Sequence, residues 1–89
     1  VVEGYQLEQN YPNPFNPTTA IRFSLAQSQH VELKVYDLNG RSVATLVDGP
    51  LAAGEHNLTF DGANFASGVY FYRITAGNFT QTKRMTLVK

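Results

Sequence analysis

The stretch Gly68-Val69-Tyr70-Phe71-Tyr72-Arg73-Ile74 decides the fold, because it is the densest run of aromatic and β-branched residues in the chain. Such residues fit a pleated, half-buried strand better than a helix. The pair Gly77-Asn78 that follows is typical of a tight reversal between two strands. We therefore predict a terminal hairpin with strands at 69–76 and 79–88.

The two tyrosines of this run are spaced like the tyrosine corner of immunoglobulin-type sandwiches. In that arrangement the hydroxyl of the first tyrosine bonds to upstream backbone, and the position two residues on faces the core. Because side chains alternate across a strand, we expect Tyr70, Tyr72 and Ile74 to face inward. The opposite face would then carry Val69, Phe71 and Arg73.

Upstream of the hairpin, short alternating runs indicate further strands at 5–9, 19–25, 31–37, 42–47 and 55–60. Polar turns are predicted at 26–30 and 61–64, a loop at 48–54, and a type I′ turn at Asn39-Gly40. The residues expected to face inward are Ile21, Phe23, Leu25, Val31, Leu33, Val35, Leu58 and Phe60. About seven short strands with turns between them predict an all-β fold, an antiparallel immunoglobulin-like β-sandwich formed by one domain over residues 1–89.

A proline-rich block precedes the second strand and contains three of the four prolines. Each proline fixes φ and removes a backbone donor, and each residue before a proline is pushed to extended geometry. We therefore predict an ordered, extended loop at 10–17 whose two aromatic side chains pack against the sandwich. Its residues are Asn10, Tyr11, Pro12, Asn13, Pro14, Phe15, Asn16 and Pro17.

Composition excludes several classes of function. The 89 residues contain no cysteine, and the net charge is zero with scattered basic residues, which argues against a nucleic-acid partner. No apolar run reaches the length of a membrane span, so we expect no direct membrane insertion. The chain opens at Val1-Val2-Glu3 without a leader-like segment, and we expect it to be part of a longer protein.

No catalytic, cofactor or metal motif is present. His30 and His56 are placed in a turn and at a strand start, without the spacing of a metal site. The 61–64 segment has oxygen donors for calcium, but an ordinary Asp-Gly turn explains it. An aromatic platform for sugars, made of Tyr36, Tyr70, Tyr72 and Phe71, is an alternative to a core role for the two inward tyrosines.

The last strand is the other candidate for binding. A closing strand held only by its own hairpin is a sheet edge that a partner, or a second copy of the chain, can extend by β-augmentation. The alternative is a plain closing strand whose basic residues prevent aggregation.

Five blocks of the chain together resemble the type A C-terminal sorting domain of the type IX secretion system. The blocks span 7–19, 35–41, 53–54, 67–73 and 83–89, and they follow the order of that family. Weaker similarity extends to the immunoglobulin-like domain of flagellar hook-capping proteins. That similarity leaves a structural or assembly module as an alternative function, beside the carbohydrate-binding module.

The resemblance implies a non-catalytic sorting signal on an upstream cargo that a gram-negative bacterium exports through the periplasm to its surface. It implies recognition by an outer-membrane translocon and removal by a sortase-like protease, and it agrees with a chain that ends at Lys89. It further implies that receptor recognition lies in the terminal strand and in the strand before it. The recognition residues would be Gly68, Phe71, Lys83, Arg84, Met85, Thr86, Leu87, Val88 and Lys89.

Overall fold

The computed structural model describes residues 4–89, which form two antiparallel sheets. Val1, Val2 and Glu3, which the predicted domain includes, lie outside the described residues. The seven strands are β1 (Gln6–Leu7), β2 (Thr18–Leu25), β3 (Gln29–Tyr36), β4 (Ser42–Leu51), β5 (Gly54–Asp61), β6 (Gly68–Ala76) and β7 (Phe79–Leu87). One sheet has the order β1-β2-β5 and the other has the order β4-β3-β6-β7. The predicted immunoglobulin-like β-sandwich is confirmed, and no helix that could span a membrane is present in residues 4–89.

The core lies between the two sheets and is built by the inward positions of the alternating strands. Tyr72 and Ile74 of β6 are fully buried and Tyr70 is 8% exposed, so all three side chains face inward as predicted. The predicted inward residues of β2 and β3 are all buried, and so is Phe60 of β5, whereas Leu58 is only half-buried. In residues 4–89, fifteen buried hydrophobic side chains therefore form one continuous core. The members are Leu7, Phe15, Ile21, Phe23, Leu25, Val31, Leu33, Val35, Phe60, Tyr70, Tyr72, Ile74, Ala76, Met85 and Leu87.

The β3–β4 hairpin forms at Asn39-Gly40, but the predicted type I′ turn is wrong. That turn needs positive φ at both central residues, and here only Gly40 has positive φ, at 81°. The Asp37 carboxylate accepts hydrogen bonds from the backbone amides of Asn39 and Arg41, at 2.9 and 3.0 Å. This side-chain bonding holds the turn in a different geometry.

The predicted loop at 48–54 is also wrong, because β4 continues to Leu51 and only Ala52 and Ala53 separate it from β5. Pro50 is tolerated in the strand because β4 is the edge of its sheet, where a missing backbone donor breaks no ladder. Its partner in the ladder is His30, which lies in β3 and not in the predicted turn.

Candidate receptor-binding hairpin

β6 and β7 pair in register from Gly68 opposite Leu87 to Ala76 opposite Phe79. The connection is the two-residue turn at Gly77-Asn78, in which Gly77 takes a φ of +60° that favours glycine. The predicted hairpin is therefore confirmed. It places the proposed recognition residues of both strands side by side at one end of the four-stranded sheet.

Alternation along β7 divides the predicted recognition residues between two faces. Met85 and Leu87 point into the core and are fully buried, so no partner reaches them in the folded domain. Arg84, Thr86 and Val88 point outward, and Val88 is 43% exposed. Lys83 shares the inward parity of Met85, lies opposite Tyr72 and is half-buried.

The backbone edge of β7 is less open than the sequence predicted. The carbonyl of Arg84 accepts a hydrogen bond from the Gln9 side chain at 2.7 Å. The amide of Thr86 donates to the Asn13 side chain at 3.0 Å, and its carbonyl accepts from the amide of Phe15 at 2.9 Å. The amide of Val88 donates to the carbonyl of Phe15 at 2.9 Å.

We call residues 9–17 the strap, because this proline-rich segment lies along the second half of the β7 edge. The expectation that the terminal edge is free for β-augmentation is thus wrong from Arg84 to Val88. The reason is that Phe15 forms a parallel bridge with Leu87 and that the side chains of Gln9 and Asn13 bond to the β7 backbone. The strap is ordered, but residues 12–14 and 16–17 are bends, so the predicted extended geometry is wrong. In residues 4–89, the outward backbone groups of Thr80 and Thr82 have no protein partner in the sheet.

Phe15 anchors the strap. Its side chain is 1% exposed and packs edge-on against Phe60, with ring centroids 6.0 Å apart. Tyr11, predicted to pack in the same way, is instead 81% exposed. Tyr11 joins β2 through backbone hydrogen bonds with Ala20 in both directions, and its ring consequently projects away from the core.

Asn10 fixes the start of the strap, a role that the sequence analysis missed. It is 2% exposed, and its side-chain amide donates to the hydroxyl of Thr19 at 3.0 Å and to the carbonyl of Pro12 at 3.2 Å. Thr19 donates to the same carbonyl at 2.9 Å. An asparagine just before a Pro-containing turn was the available signal, since such side chains bond to nearby backbone.

The two inward tyrosines of β6 bond the hairpin to the rest of the fold. The hydroxyl of Tyr70 donates to the carbonyl of Ala66 at 2.7 Å, which confirms the tyrosine corner. The hydroxyl of Tyr72 donates to the carbonyl of Glu8 at 2.7 Å and accepts from the amide of Asn10 at 2.7 Å. Burial raises the pKa of Tyr72 to about 12.

The sugar platform that the sequence allowed is not assembled, because Tyr70 and Tyr72 belong to the core. Tyr36 and Phe71 remain on the outer face, opposite each other on β3 and β6. Arg73 lies over the Tyr36 ring, 4.8 Å from its centroid, and donates to the Tyr36 hydroxyl at 2.8 Å. The outer face of the hairpin is therefore mixed aromatic and cationic.

His30, Glu32 and Asp48 lie close together on the outer face of β3 and β4, with possible ligand atoms within 4.8 Å of one another. No local pattern indicates this group, because its members come from two strands. His30 is paired with Asp48 at 3.0 Å, and both side chains are more than half exposed. An exposed hydrogen bond between the imidazole and the carboxylate explains the arrangement, and we assign no metal to it. His56, by contrast, stacks on Phe23 and bonds to the carbonyl of Ala52 at 2.7 Å.

The comparisons with known proteins agree with this architecture. The family model of the secretion system C-terminal sorting domain matches residues 9–88, which include the strap and both strands of the hairpin. Among solved structures, the chain is similar to PorZ, an essential bacterial surface component of the type-IX secretion system of Porphyromonas gingivalis. The identity is 22% and the TM-score is 0.63 over 91% of this chain and 11% of that chain, so the similarity shows a shared fold. No match was found among curated proteins.

Proposed function

This chain belongs to the family of secretion system C-terminal sorting domains, and we propose that the export machinery recognises it by binding the outer face of its terminal hairpin. A domain of this family is a sorting signal of the type IX secretion system: it directs the cargo that carries it to the cell surface or the extracellular space. Its partners are accordingly the cargo and the secretion machinery. The single observation that carries the function is the family match over residues 9–88.

The recognition residues that remain reachable in the folded domain are those on the outer face. Arg84 and Val88 are exposed there, and Phe71 lies half-buried opposite Arg84. Lys89 is also exposed, but it follows the strand and its ammonium donates to the carbonyl of Ala63 at 2.8 Å. Met85 and Leu87 support this face from within and act as core residues. Exposed side chains around a half-buried aromatic ring are the usual anatomy of a binding surface.

The strap changes the proposed mode of recognition. Strap residues already bond to the β7 backbone from Arg84 to Val88. At this end of the strand the receptor therefore binds side chains and not backbone groups. Backbone pairing with the receptor, or with a second copy of the domain, is restricted to the open part of the edge around Thr80 and Thr82.

We further propose that the immediate partners are the outer-membrane translocon and a sortase-like protease, and that the domain itself catalyses no reaction. The two histidines support the last point, since His30 is paired with Asp48 and His56 with the carbonyl of Ala52. In residues 4–89, no hydrogen bond joins either histidine to the hydroxyl of a serine or threonine.

The test uses a full-length cargo carrying this domain, expressed in a bacterium with the secretion system. Deleting residues 84–89 removes two core residues, Met85 and Leu87, and therefore disrupts folding as well as recognition. The sharper variant is Arg84→Gln with Val88→Gln, because both side chains are exposed and the core is left intact. We expect this double variant to fold normally and to accumulate in the periplasm.

The matched control is Arg22→Gln, which removes one positive charge from an exposed position on the other sheet. This control should reach the surface like the wild type. Surface delivery of the 84–89 deletion at the wild-type level would contradict the sorting role. Normal delivery of the double variant alone would contradict the outer-face assignment.

A further inference from the structure

The outer face of the hairpin continues onto β3, and together they form a surface patch that extends beyond the predicted recognition residues. Lys34 lies directly opposite Arg73, and Phe71 lies between Tyr36 on one side and Arg84 on the other. We call these five residues the cationic-aromatic patch. Three of its members are not among the recognition residues that the family resemblance implied: Lys34, Tyr36 and Arg73.

The charges of the patch are not neutralised within the fold. Among residues 4–89 the ion pairs are His30–Asp48 and Arg41–Asp37, so no described carboxylate lies within 4.0 Å of Lys34, Arg73 or Arg84. The acidic residue that shares the β3 face, Glu32, is opposite Thr75 and belongs to the group with His30 and Asp48. Two carboxylates therefore flank the patch, but each has other partners: Glu32 lies beside His30 and Asp48, and Asp37, which lines a surface pocket with Tyr36, Phe71 and Arg73, is paired with Arg41.

The register adds a second observation. Lys34 and Arg73 are like charges that face each other directly across two neighbouring strands, an arrangement that destabilises a sheet. Arg73 is also held in place over Tyr36, by the stacking at 4.8 Å and the hydrogen bond at 2.8 Å. A chain with a net charge of zero thus places three positive side chains, Lys34, Arg73 and Arg84, on one face of this sheet.

We propose that the cationic-aromatic patch binds an acidic segment of a protein of the secretion machinery. Carboxylates would neutralise the facing pair Lys34 and Arg73, while Phe71 and Tyr36 supply apolar contact beside them. Complementary charge contributes to specificity and to the rate of encounter, which suits recognition of a passing cargo. The inference rests on the sorting function proposed above and names the chemistry of its partner.

A binding experiment tests the patch directly. The probe is a short peptide of alternating glutamate and tyrosine, added to the isotope-labelled 89-residue chain and followed by NMR. We expect shifts confined to the patch that diminish with added salt, because exposed charge pairs are screened. Lys34→Gln and Arg73→Gln should each weaken binding, by roughly up to fivefold, the upper range for one exposed charge pair.

The control variant is again Arg22→Gln, which makes the same change in net charge on the other sheet and should bind like the wild type. A peptide of alternating lysine and tyrosine controls for the aromatic residues. Equal binding of the two peptides, or equal weakening by Arg22→Gln, would overturn the proposal. Lys34→Gln should also leave the thermal midpoint unchanged or higher, since it removes a like-charge contact; a purely structural role for Lys34 predicts a lower midpoint.

Secretion of a full-length cargo separates this inference from the function on which it rests. We expect the double variant Lys34→Gln with Arg73→Gln to be retained in the periplasm. If it is delivered normally while the 84–89 deletion is retained, the acidic-partner inference fails and the sorting function stands. If the deletion is also delivered normally, the sorting function itself fails.

Discussion

Tyr72→Phe should lower the free energy of unfolding more than most changes that remove a single atom from this domain. The hydroxyl of Tyr72 connects β6 of one sheet to the segment that follows β1 of the other, through the Glu8 carbonyl and the Asn10 amide. The phenylalanine keeps the ring and therefore the packing. It removes one donor and one acceptor, and leaves two backbone groups without their partner.

The expected loss can be estimated from these two groups. The amide of Asn10 is buried, and a buried donor without a partner costs about 1–3 kcal/mol. The carbonyl of Glu8 is half-buried and is reached by water more easily, so its cost lies at the lower end of the same range. We expect a total of about 2–4 kcal/mol, a large share of the roughly 5–13 kcal/mol typical of a domain of this size.

Tyr70→Phe is the matched comparison, because it removes a single hydrogen bond, to the carbonyl of Ala66. That bond is worth about 1 kcal/mol. Urea denaturation of the three proteins, followed by fluorescence and circular dichroism, gives the free energies of unfolding. If Tyr72→Phe costs no more than Tyr70→Phe, the two-sheet connection through the Tyr72 hydroxyl is refuted.

Three further predictions concern the same contacts. First, burial raises the pKa of Tyr72 from 10.0 to about 12, so the stabilising contribution of this group is complete below pH 10 and is lost as the pH rises to 12. Urea denaturation across this range should show that the free energy of unfolding declines more steeply in the wild type than in Tyr72→Phe. Parallel declines in the two proteins would contradict this. Second, Phe15→Ala should lower the free energy of unfolding by about 3–5 kcal/mol, since the ring is 1% exposed, and an unaltered urea midpoint would show that the strap is not anchored there. Third, Tyr11→Ser should change stability by less than about 0.5 kcal/mol because the ring is 81% exposed, and a loss comparable to that of Phe15→Ala would mean that Tyr11 packs after all.

The parts of the fold that depend on neighbouring residues were predictable from the sequence. Alternation alone assigned Tyr70, Tyr72 and Ile74 to the core and Phe71 and Arg73 to the opposite face. The Gly77-Asn78 reversal followed from the φ that glycine tolerates. The hairpin and the faces of its strands are thus encoded locally.

The strap could not be predicted in the same way. The hydrogen bond between Asn13 and Thr86 joins residues 73 positions apart, and no local pattern specifies such a pair. Both aromatic residues of the strap occur in the same proline-rich context, yet one is buried and the other exposed, because the choice depends on where Phe60 lies. The grouping of His30 with Asp48 was missed for the same reason, since it follows from the register of β3 and β4.

The meeting of the strap with β7 brings the entrance and the exit of the domain together. Tyr5 stacks on Phe79 with ring centroids 5.2 Å apart, and the Gln9 side chain donates to the Arg84 carbonyl at 2.7 Å, so the first described residues lie beside the last strand. A partner that contacts this edge of β7 consequently lies next to residues 5–9 as well. A pulling force applied to residues 5–9 would act directly on their contacts with Phe79 and Arg84, and would therefore load β7 before the core between the sheets.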